Sequence, residues 1–588
     1  MATFSRFCLL LLSLSGSAWY LTRRFHIRPE FAPALVCSTI STLLFLAGCV
    51  NLLPEMALLL FASGLLLPAF SLYKSRKQQN LHNAFDKRLL FLFFLFLCTM
   101  LYFFLFLQHA HITSYDNFSH WATVVKDLLR ENRMPNFQDA VIRFQSYPLG
   151  SSLWIYYVCR ILGMTDGSML WAQLLMQLSL LFCMSAFVHK RNAYCGLALL
   201  LFCIWGCSAN NSIYELRVDT LLAAAGIAAF AVFYAYRNDP GKALYSCCSI
   251  LILLIQIKNS GVFFYCICLV FLAVYAGKPC RQRIRCFAGV GLFAPLFTMY
   301  LWKKHVAFAF ADGMDSKHSM NIAHFGEMAA KKSREDVLSI GKSILQRFLE
   351  FDHIEVKLLV GLTVFLLLFA ALFLFVFHNR GHAARMFLLL AADLSCAAAY
   401  TVSLYAMYVF SMPMGESAHL ASYDRYMLSV LVFLYGITVI VVMDTLHSVK
   451  TFPTAFAPYA AAACFVCAAF LLVLQVKARI PLLYQSPDFT RTKRFQLQSL
   501  LREHEISEGD SCVLYCNGSD DDKRYLFYLT RYELWTGKVL VVRGEELTEQ
   551  ELKLADYEHL IVWDWDERIG AFLDESEQSP NMKIILRQ

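Results

Sequence analysis

Long runs of apolar residues, separated by short polar stretches, cover most of the chain up to about residue 480. A helix needs about 20 mostly apolar residues to cross the hydrocarbon core of a bilayer. The chain is therefore expected to be a polytopic α-helical membrane protein. By hydropathy we predict about 14 spans, at residues 5–22, 31–53, 55–73, 88–109, 168–188, 194–210, 219–236, 243–257, 261–277, 286–302, 356–378, 384–410, 424–443 and 454–476.

From about residue 485 the apolar runs shorten and charged residues become frequent. Four short stretches predict β-strands, at 511–516, 538–543, 559–564 and 582–587. Three stretches between them predict helices, at 522–532, 547–557 and 567–575. Alternating strands and helices indicate a small parallel α/β domain. No glycine-rich phosphate loop follows the first strand, so we assign no nucleotide to it.

Composition agrees with a membrane protein. The chain is 58% hydrophobic and 16% charged, whereas soluble domains are about 45–50% apolar and about 25% charged. Many of its 20 cysteines lie inside apolar runs, where cysteine packs as a small hydrophobic residue. The Cys-x2-Cys pair Cys464 and Cys467 lies inside an apolar run, and neither a structural metal, a disulfide framework nor a nucleic-acid partner is expected.

The placement of basic residues suggests how the chain is threaded. Basic loops mark the cytoplasmic side of membrane proteins, and here they all fall on one side if the short run 149–164 does not cross. Both termini then face outward. If this run does cross, the basic loops scatter over both sides, which we disfavour. The outer side then carries every polar segment of interest, namely 110–150, 210–219, 258–259, 303–353, 411–425 and the C-terminal tail.

The most informative polar interval is 114–151, which follows the apolar run 89–107. Asp116 lies at the mouth of a membrane helix, close to His120 and Trp121. A carboxylate near a bilayer is costly and is therefore a functional candidate. The alternative is a solvated loop with Trp121 as an interfacial anchor.

Two further segments carry candidate residues at helix mouths. Glu215, Arg217 and Asp219 precede an apolar run, and the i, i+4 spacing places Glu215 and Asp219 on one helical face if the helix extends that far. The alternative for these acids is an interaction with the helix dipole. Lys258 interrupts an apolar stretch and is expected either to bind an anion or to snorkel to the surface.

The third candidate segment opens the apolar span near residue 424. Arg425 lies between Asp424 and Tyr426, and its guanidinium offers a planar fork for phosphate oxygens. The alternative is a helix cap made by Asp424 with Tyr423 and Tyr426 as interfacial aromatic residues.

The run Tyr-Asp-Asn-Phe-Ser-His-Trp at 115–121, followed by Phe-Gln-Ser-Tyr-Pro-Leu-Gly at 144–150, resembles the first outer loop of GT-C glycosyltransferases. It is most similar to bacterial members that use polyprenyl-phosphate sugars, of the protein O-mannosyltransferase and lipid A aminoarabinose transferase type. Many relatives have two acids where this chain has Asp116 and Asn117, and Pro-Pro-Gly where it has Pro-Leu-Gly. The first difference argues against a metal site of two adjacent acids.

The resemblance implies an integral membrane enzyme with its active site and C-terminal domain outside the cell membrane. It implies Asp116 as catalytic base, and a substrate-binding set of His120, Glu215, Arg217, Asp219, Lys258 and Arg425. It implies no required cofactor, although Asp116 and a second-loop acid could together hold a divalent cation. The donor would be a polyprenyl-phosphate sugar and the acceptor a glycan, lipid or protein hydroxyl.

The expected domains are N-terminal helices at 1–87 outside the resemblance, a GT-C-like core at 88–484, and an extracytoplasmic α/β domain at 485–588. The core contains outer loops 110–150 and 303–353. The expected function is sugar transfer in cell-surface glycan assembly, with inversion at the anomeric carbon. Two alternatives stay open, which are a glycan polymerase or ligase using a diphosphate-linked donor and a non-enzymatic transporter.

Overall fold

The structure is a computed structural model of the chain. It describes residues 2–76, 87–188, 199, 202–203, 205–206, 213–275, 287–310, 322–449, 459–466, 477–544, 557–575 and 583–586.

Helices dominate the part of the chain before residue 450, as the apolar runs predict. They are α1 Ala2–Phe25, α2 Ala32–Gly48, α3 Leu53–Arg76, α4 Lys87–Leu107, α5 Ala122–Glu131, α6 Gly150–Leu162, α7 Asp166–Leu181, α8 Asp219–Ala235, α9 Pro240–Ile257, α10 Gly261–Tyr275, α11 Ala294–Ala309, α12 Ile322–Ala330, α13 Arg334–Leu349, α14 Ile354–Ala371, α15 Arg380–Phe410, α16 Met414–Ala418 and α17 Tyr423–Ser448.

Within the described residues, seven helical segments are long and apolar enough to cross a membrane. Shorter apolar helices lie at Leu53–Ala69, Asp219–Ala235, Gly241–Ile257 and Gly261–Phe271. These features support a helical membrane protein, while the number 14 stays a prediction. The predicted spans 194–210 and 454–476 lie largely outside the described residues.

The segment expected to lie outside the membrane crossings, 149–164, forms helix α6 of 13 residues. At 1.5 Å per residue it is about 20 Å long, shorter than the hydrocarbon core of about 30 Å. All but two of its residues are buried. It packs between α2, α5 and α7. That this segment does not cross the membrane stays a prediction.

The segment 303–353, which the sequence predicts to be an outer loop, is mostly helical where it is described. Helix α11 continues to Ala309, and α12 and α13 follow. Ser333 caps α13 by accepting from the Asp336 N–H, while the Asp336 carboxylate accepts from the Ser333 N–H. Such a capping box satisfies helix N–H groups that otherwise lack partners.

The C-terminal region forms the predicted parallel α/β unit. Its strands are β1 Cys512–Cys516, β2 Val539–Arg543, β3 His559–Val562 and β4 Lys583–Leu586, in the order β2-β1-β3-β4 with parallel pairing throughout. The helices are α18 Lys493–Glu503, α19 Asp520–Leu534 and α20 Glu567–Glu575. The predicted helix 547–557 falls almost entirely outside the described residues.

Buried charged contacts join this unit to the helical bundle. The Arg494 guanidinium contacts Asp166 at the start of α7 at 2.5 Å, Glu533 of α19 at 2.6 Å and the Ile112 carbonyl at 2.8 Å. Lys126 of α5 donates to Glu508 and to the Tyr532 carbonyl, each at 2.9 Å. These contacts place α19 against the segment 115–121.

Candidate functional site

A cavity of about 1060 Å³ lies where the bundle meets the C-terminal domain. Four parts of the bundle line it, namely residues 115–147, the start of α8, the end of α9 and the segment 412–426. The start of α18 and the first turn of α19 form its remaining wall. The cavity therefore collects side chains that are far apart in sequence.

Residues 117–121 form one turn of wide helix ahead of α5, and all five are buried. Asn117 does not face a ligand, because its Oδ1 accepts a hydrogen bond from the Leu216 N–H at 3.0 Å. Asn117 thus ties the segment 115–121 to the segment before α8. Asp116, next to it, lines the cavity.

The segment before α8 is not helical, and a side chain of α7 holds its backbone. Gln173 of α7 donates to the Glu215 carbonyl at 3.1 Å and to the Arg217 carbonyl at 2.9 Å. Helix α8 begins only at Asp219, so it does not extend to Glu215, and the condition for a shared helical face of Glu215 and Asp219 is not met. Glu215 instead pairs with Arg217, and burial raises the pKa of the Glu215 carboxyl.

Lys258 ends α9 with an extended backbone, and Gly261 then opens α10. A Cβ atom at Gly261 would lie 1.8 Å from the Leu254 carbonyl oxygen, so only glycine allows this tight turn. Gly150, the last residue of the second motif, approaches the same end of α9, where its Cβ would lie 2.7 Å from the Gln256 carbonyl oxygen. Both glycines thus fix the position of Lys258.

Arg425 is the centre of the charged network. Its guanidinium pairs with Asp116 and lies 3.3 Å from Asp219 Oδ2. The Lys258 ammonium lies 2.9 Å from Asp219 Oδ1. Both cations lie over the Tyr426 ring, at 4.8 Å for Lys258 and 5.3 Å for Arg425.

Arg217 extends the network, since its Nε lies 3.9 Å from Asp116 Oδ2. Six of the seven residues singled out from the sequence are therefore connected through three carboxylates and three cations. The formal charges balance, which is how buried charges are stabilised. Asp116 is the most accessible carboxylate of the three, with 27% of its side chain exposed against 12% for Glu215 and 5% for Asp219.

His120, the seventh residue, lines the same cavity without joining the network. Its ring lies within 6.1 Å of the Trp121, Phe144 and Tyr147 rings. Burial and the charge of Lys258 lower the pKa of His120 to about 3. A neutral imidazole can exchange hydrogen bonds with an uncharged polar group, and it cannot act as a cation near pH 7.

The C-terminal domain contributes cavity residues that the sequence did not indicate. Lys493, Asp522 and Tyr525 line the wall together with Asp521 and Arg524. Lys493 pairs with Asp522, and Tyr525 donates to the Thr113 carbonyl at 2.8 Å. Their sequence spacing resembles any exposed helix face, so no local pattern could have found them.

Two arrangements bear on cation binding. Asp116 and Asp219 both contact Arg425, so a cation between them would have to displace the guanidinium. Outside the cavity, His353, Glu355 and Asp424 have ligand atoms within 4.8 Å of one another. Arg347 contacts all three of these side chains. Its positive charge compensates the two carboxylates of the cluster. Asp424 therefore pairs with Arg347. The N-cap of α17 is Ser422, so the alternative of a cap made by Asp424 does not hold.

No family model, curated protein or solved structure matches the chain.

Proposed function

We propose that the protein is a membrane glycosyltransferase of the GT-C type. It would move a sugar from a polyprenyl-phosphate donor to an acceptor hydroxyl on the outer side of the membrane. The observation that carries the proposal is the convergence of Asp116, Asp219, Lys258 and Arg425 in one cavity. The resemblance of the motifs at 115–121 and 144–150 supports the same class.

The reaction requires separate roles for the carboxylates and for the cations of the network. The acceptor oxygen attacks the anomeric carbon of the sugar, and the bond from that carbon to the donor phosphate oxygen breaks. The bonding electrons leave with the phosphate, and the hydroxyl proton passes to a carboxylate. In-line attack inverts the anomeric configuration. The site must therefore offer a base and, across from it, groups that stabilise negative charge.

We assign the base to Asp116 because it is the most exposed carboxylate of the network and lines the cavity. We assign the phosphate to Lys258 and Arg425, whose charges face the cavity beside Tyr426. A donor phosphate would compete with Asp116 for Arg425. That exchange would release carboxylate oxygens of Asp116 when the donor binds. Asp219 would keep both cations in place.

We assign the acceptor to the wall made by the C-terminal domain. This wall carries two basic and two acidic side chains, Lys493, Arg524, Asp521 and Asp522, and Tyr525 adds a ring beside them. Such a surface suits a neutral acceptor that is rich in hydroxyl groups. Arg524→Gln should raise the KM for the acceptor while leaving donor hydrolysis unchanged.

The decisive experiment measures donor hydrolysis and transfer by purified protein in lipid, with radiolabelled polyprenyl-monophosphate and polyprenyl-diphosphate sugars. Wild type, Asp116→Asn and a control, Asp520→Asn, are compared. Asp520 lies outside the cavity lining and pairs with Arg543 at 2.9 Å. We expect transfer from a monophosphate donor that falls about 100-fold or more in Asp116→Asn and stays at the wild-type rate in Asp520→Asn.

Other outcomes would reject the proposal. Retained transfer in folded Asp116→Asn protein would overturn the role of Asp116. Turnover of diphosphate donors alone would move the protein to the polymerase or ligase class. Silence with every donor and acceptor, in folded protein, would favour a transporter.

A further inference from the structure

A second cavity lies between the N-terminal helices and the core. It has a volume of about 290 Å³ and is lined by α1, α2, α4 and α7. Its walls are almost entirely apolar, with Leu14 and Trp19 of α1, Val36 of α2, Phe93 of α4 and Leu175 of α7. The stretch of α4 that lines it, Leu90–Leu97, precedes the end of that helix at Leu107. The charged site follows that end, so the two cavities lie toward opposite ends of the bundle.

The cavity offers too few polar partners to be filled with water. A volume of 290 Å³ corresponds to about ten waters at roughly 30 Å³ each, and each water needs two to four polar partners. Three hydroxyls line the cavity, those of Ser15, Thr22 and Ser179, which are too few for that number of waters, and the Thr22 hydroxyl already donates to the Ala18 carbonyl at 2.9 Å. Apolar cavities of this kind stay dry or take apolar ligands. Helix α1 also exposes Leu9 and Leu12, so hydrocarbon chains of the bilayer lie beside the cavity.

Positive charge lies at one end of this cavity. Arg23 stacks over the Trp19 ring at 4.8 Å, and Trp19 lines the cavity. Arg24 follows and is exposed. Within the described residues no carboxylate pairs with either arginine, whereas Arg28 is already bound to Glu30 and to the Ala186 carbonyl. Basic groups at the ends of membrane helices bind anionic lipid headgroups.

We infer that this cavity is a binding site for an anionic phospholipid. One acyl chain would fill the apolar space, and the phosphate would lie at Arg23 and Arg24. The site is independent of the proposed transferase activity. The inference also gives a role to the N-terminal helices, which the family resemblance does not cover. Helices α1 and α2 would complete a lipid site against α4 and α7.

The test uses the full chain in nanodiscs of phosphatidylglycerol or phosphatidylcholine, and native mass spectrometry after extraction into detergent. Ala18→Phe fills the cavity, because Ala18 lines it. The double variant Arg23→Gln with Arg24→Gln removes the charge and leaves the cavity. Arg380→Gln is the control, because Arg380 is an exposed arginine at the start of α15.

We expect wild type and Arg380→Gln to retain one phosphatidylglycerol and to melt at a higher temperature in phosphatidylglycerol than in phosphatidylcholine. Retention should fall at least about tenfold in both test variants, with melting temperatures in phosphatidylcholine close to wild type. Equal retention of phosphatidylcholine, a polyprenyl phosphate in place of the phospholipid, or wild-type retention in the double variant would each overturn the inference. If Ala18→Phe does not fold, the double variant alone decides.

Discussion

The Lys258 ammonium lies 2.9 Å from Asp219 Oδ1, although the two residues are 39 positions apart and belong to different helices. Only 11% of the lysine side chain and 5% of the aspartate side chain are exposed. Removing one partner of a buried ion pair leaves the other charge uncompensated, which costs about 3–5 kcal/mol. Here the pair joins the end of α9 to the start of α8.

We predict that Lys258→Met and Asp219→Asn each destabilise the protein by about 3 kcal/mol, the lower part of that range. The reason for the lower value is Arg425, which still contacts Asp219 when Lys258 is lost. The double variant should lose less than the sum, with a coupling of about 0.5–3 kcal/mol. Thermal unfolding of the four proteins in lipid measures this. Additive losses would show that the pair does not act as a unit.

Arg494 is predicted to hold the C-terminal domain on the bundle. Its guanidinium reaches Asp166 and Glu533, with 7% of its side chain exposed. Arg494→Gln should lower the stability by about 3 kcal/mol and speed proteolysis between the two parts.

A matched control lies three residues earlier. Arg491 is 88% exposed and pairs only with Asp488 among the described residues, and such surface pairs contribute about 0–1 kcal/mol. Arg491→Gln should therefore melt like wild type. Identical melting of the Arg491 and Arg494 variants would remove Arg494 from its role at the domain contact.

Several features of the site could be predicted from the sequence because they lie at helix mouths. Asp116, Asp219, Lys258 and Arg425 each follow or open an apolar run, and the fold brings these four residues together at one cavity. Gly150 belongs to the quoted motif at 144–150, and the structure explains both it and Gly261 by their close approach to the backbone of α9.

Other features depend on contacts that no local pattern carries. A shared helical face of Glu215 and Asp219 required a helix that reaches Glu215, but this segment is not helical, and Gln173 and Asn117 bind its backbone through hydrogen bonds. Arg524 and Lys493 reach the cavity only because Arg494 and Lys126 dock the C-terminal domain. The strands of that domain were predictable, since their apolar runs are short and separated by helices.

His120 gives a prediction about acid. Burial and Lys258 lower its pKa to about 3, whereas an unfolded histidine has a pKa near 6.5. Between these values the unfolded chain binds the proton and the folded chain does not. The contribution of neutral His120 to the free energy of unfolding is therefore fully present above pH 6.5. It falls as the pH drops below that value. At pH 4.5 the loss is about 2–3 kcal/mol, at 1.36 kcal/mol per pH unit.

The comparison is between wild type and His120→Asn, melted in lipid from pH 7 to pH 4.5. The variant should lose less stability over this interval. The control is His26→Asn, because His26 is exposed and has a positive φ that asparagine also tolerates. Parallel losses in wild type and His120→Asn would show that His120 is not responsible for acid sensitivity.

Asp127 leads to a prediction of the opposite sign. It lies on α5 and is 1% exposed. Its charged neighbours are Asp139, Arg133, Glu131 and Arg130. Burial, with the charge of Asp139 in support, raises the pKa of Asp127 to about 8. Between about pH 4 and pH 8 the folded chain therefore holds a proton that the unfolded chain has lost.

The free energy of unfolding of the wild-type protein thus decreases as the pH rises through this window, because Asp127 must stay protonated in the folded chain. Asparagine does not ionise, so the Asp127→Asn variant does not show this decrease. We expect Asp127→Asn to stabilise the protein by about 2–4 kcal/mol at pH 7 and by less at pH 5. Asp139→Asn is the matched comparison and should destabilise it, because Asp139 accepts two hydrogen bonds from Arg133, at 2.7 and 2.8 Å. Melting curves at both pH values decide between these signs. Destabilisation by Asp127→Asn at pH 7 would mean that the carboxylate is charged and paired in the folded protein.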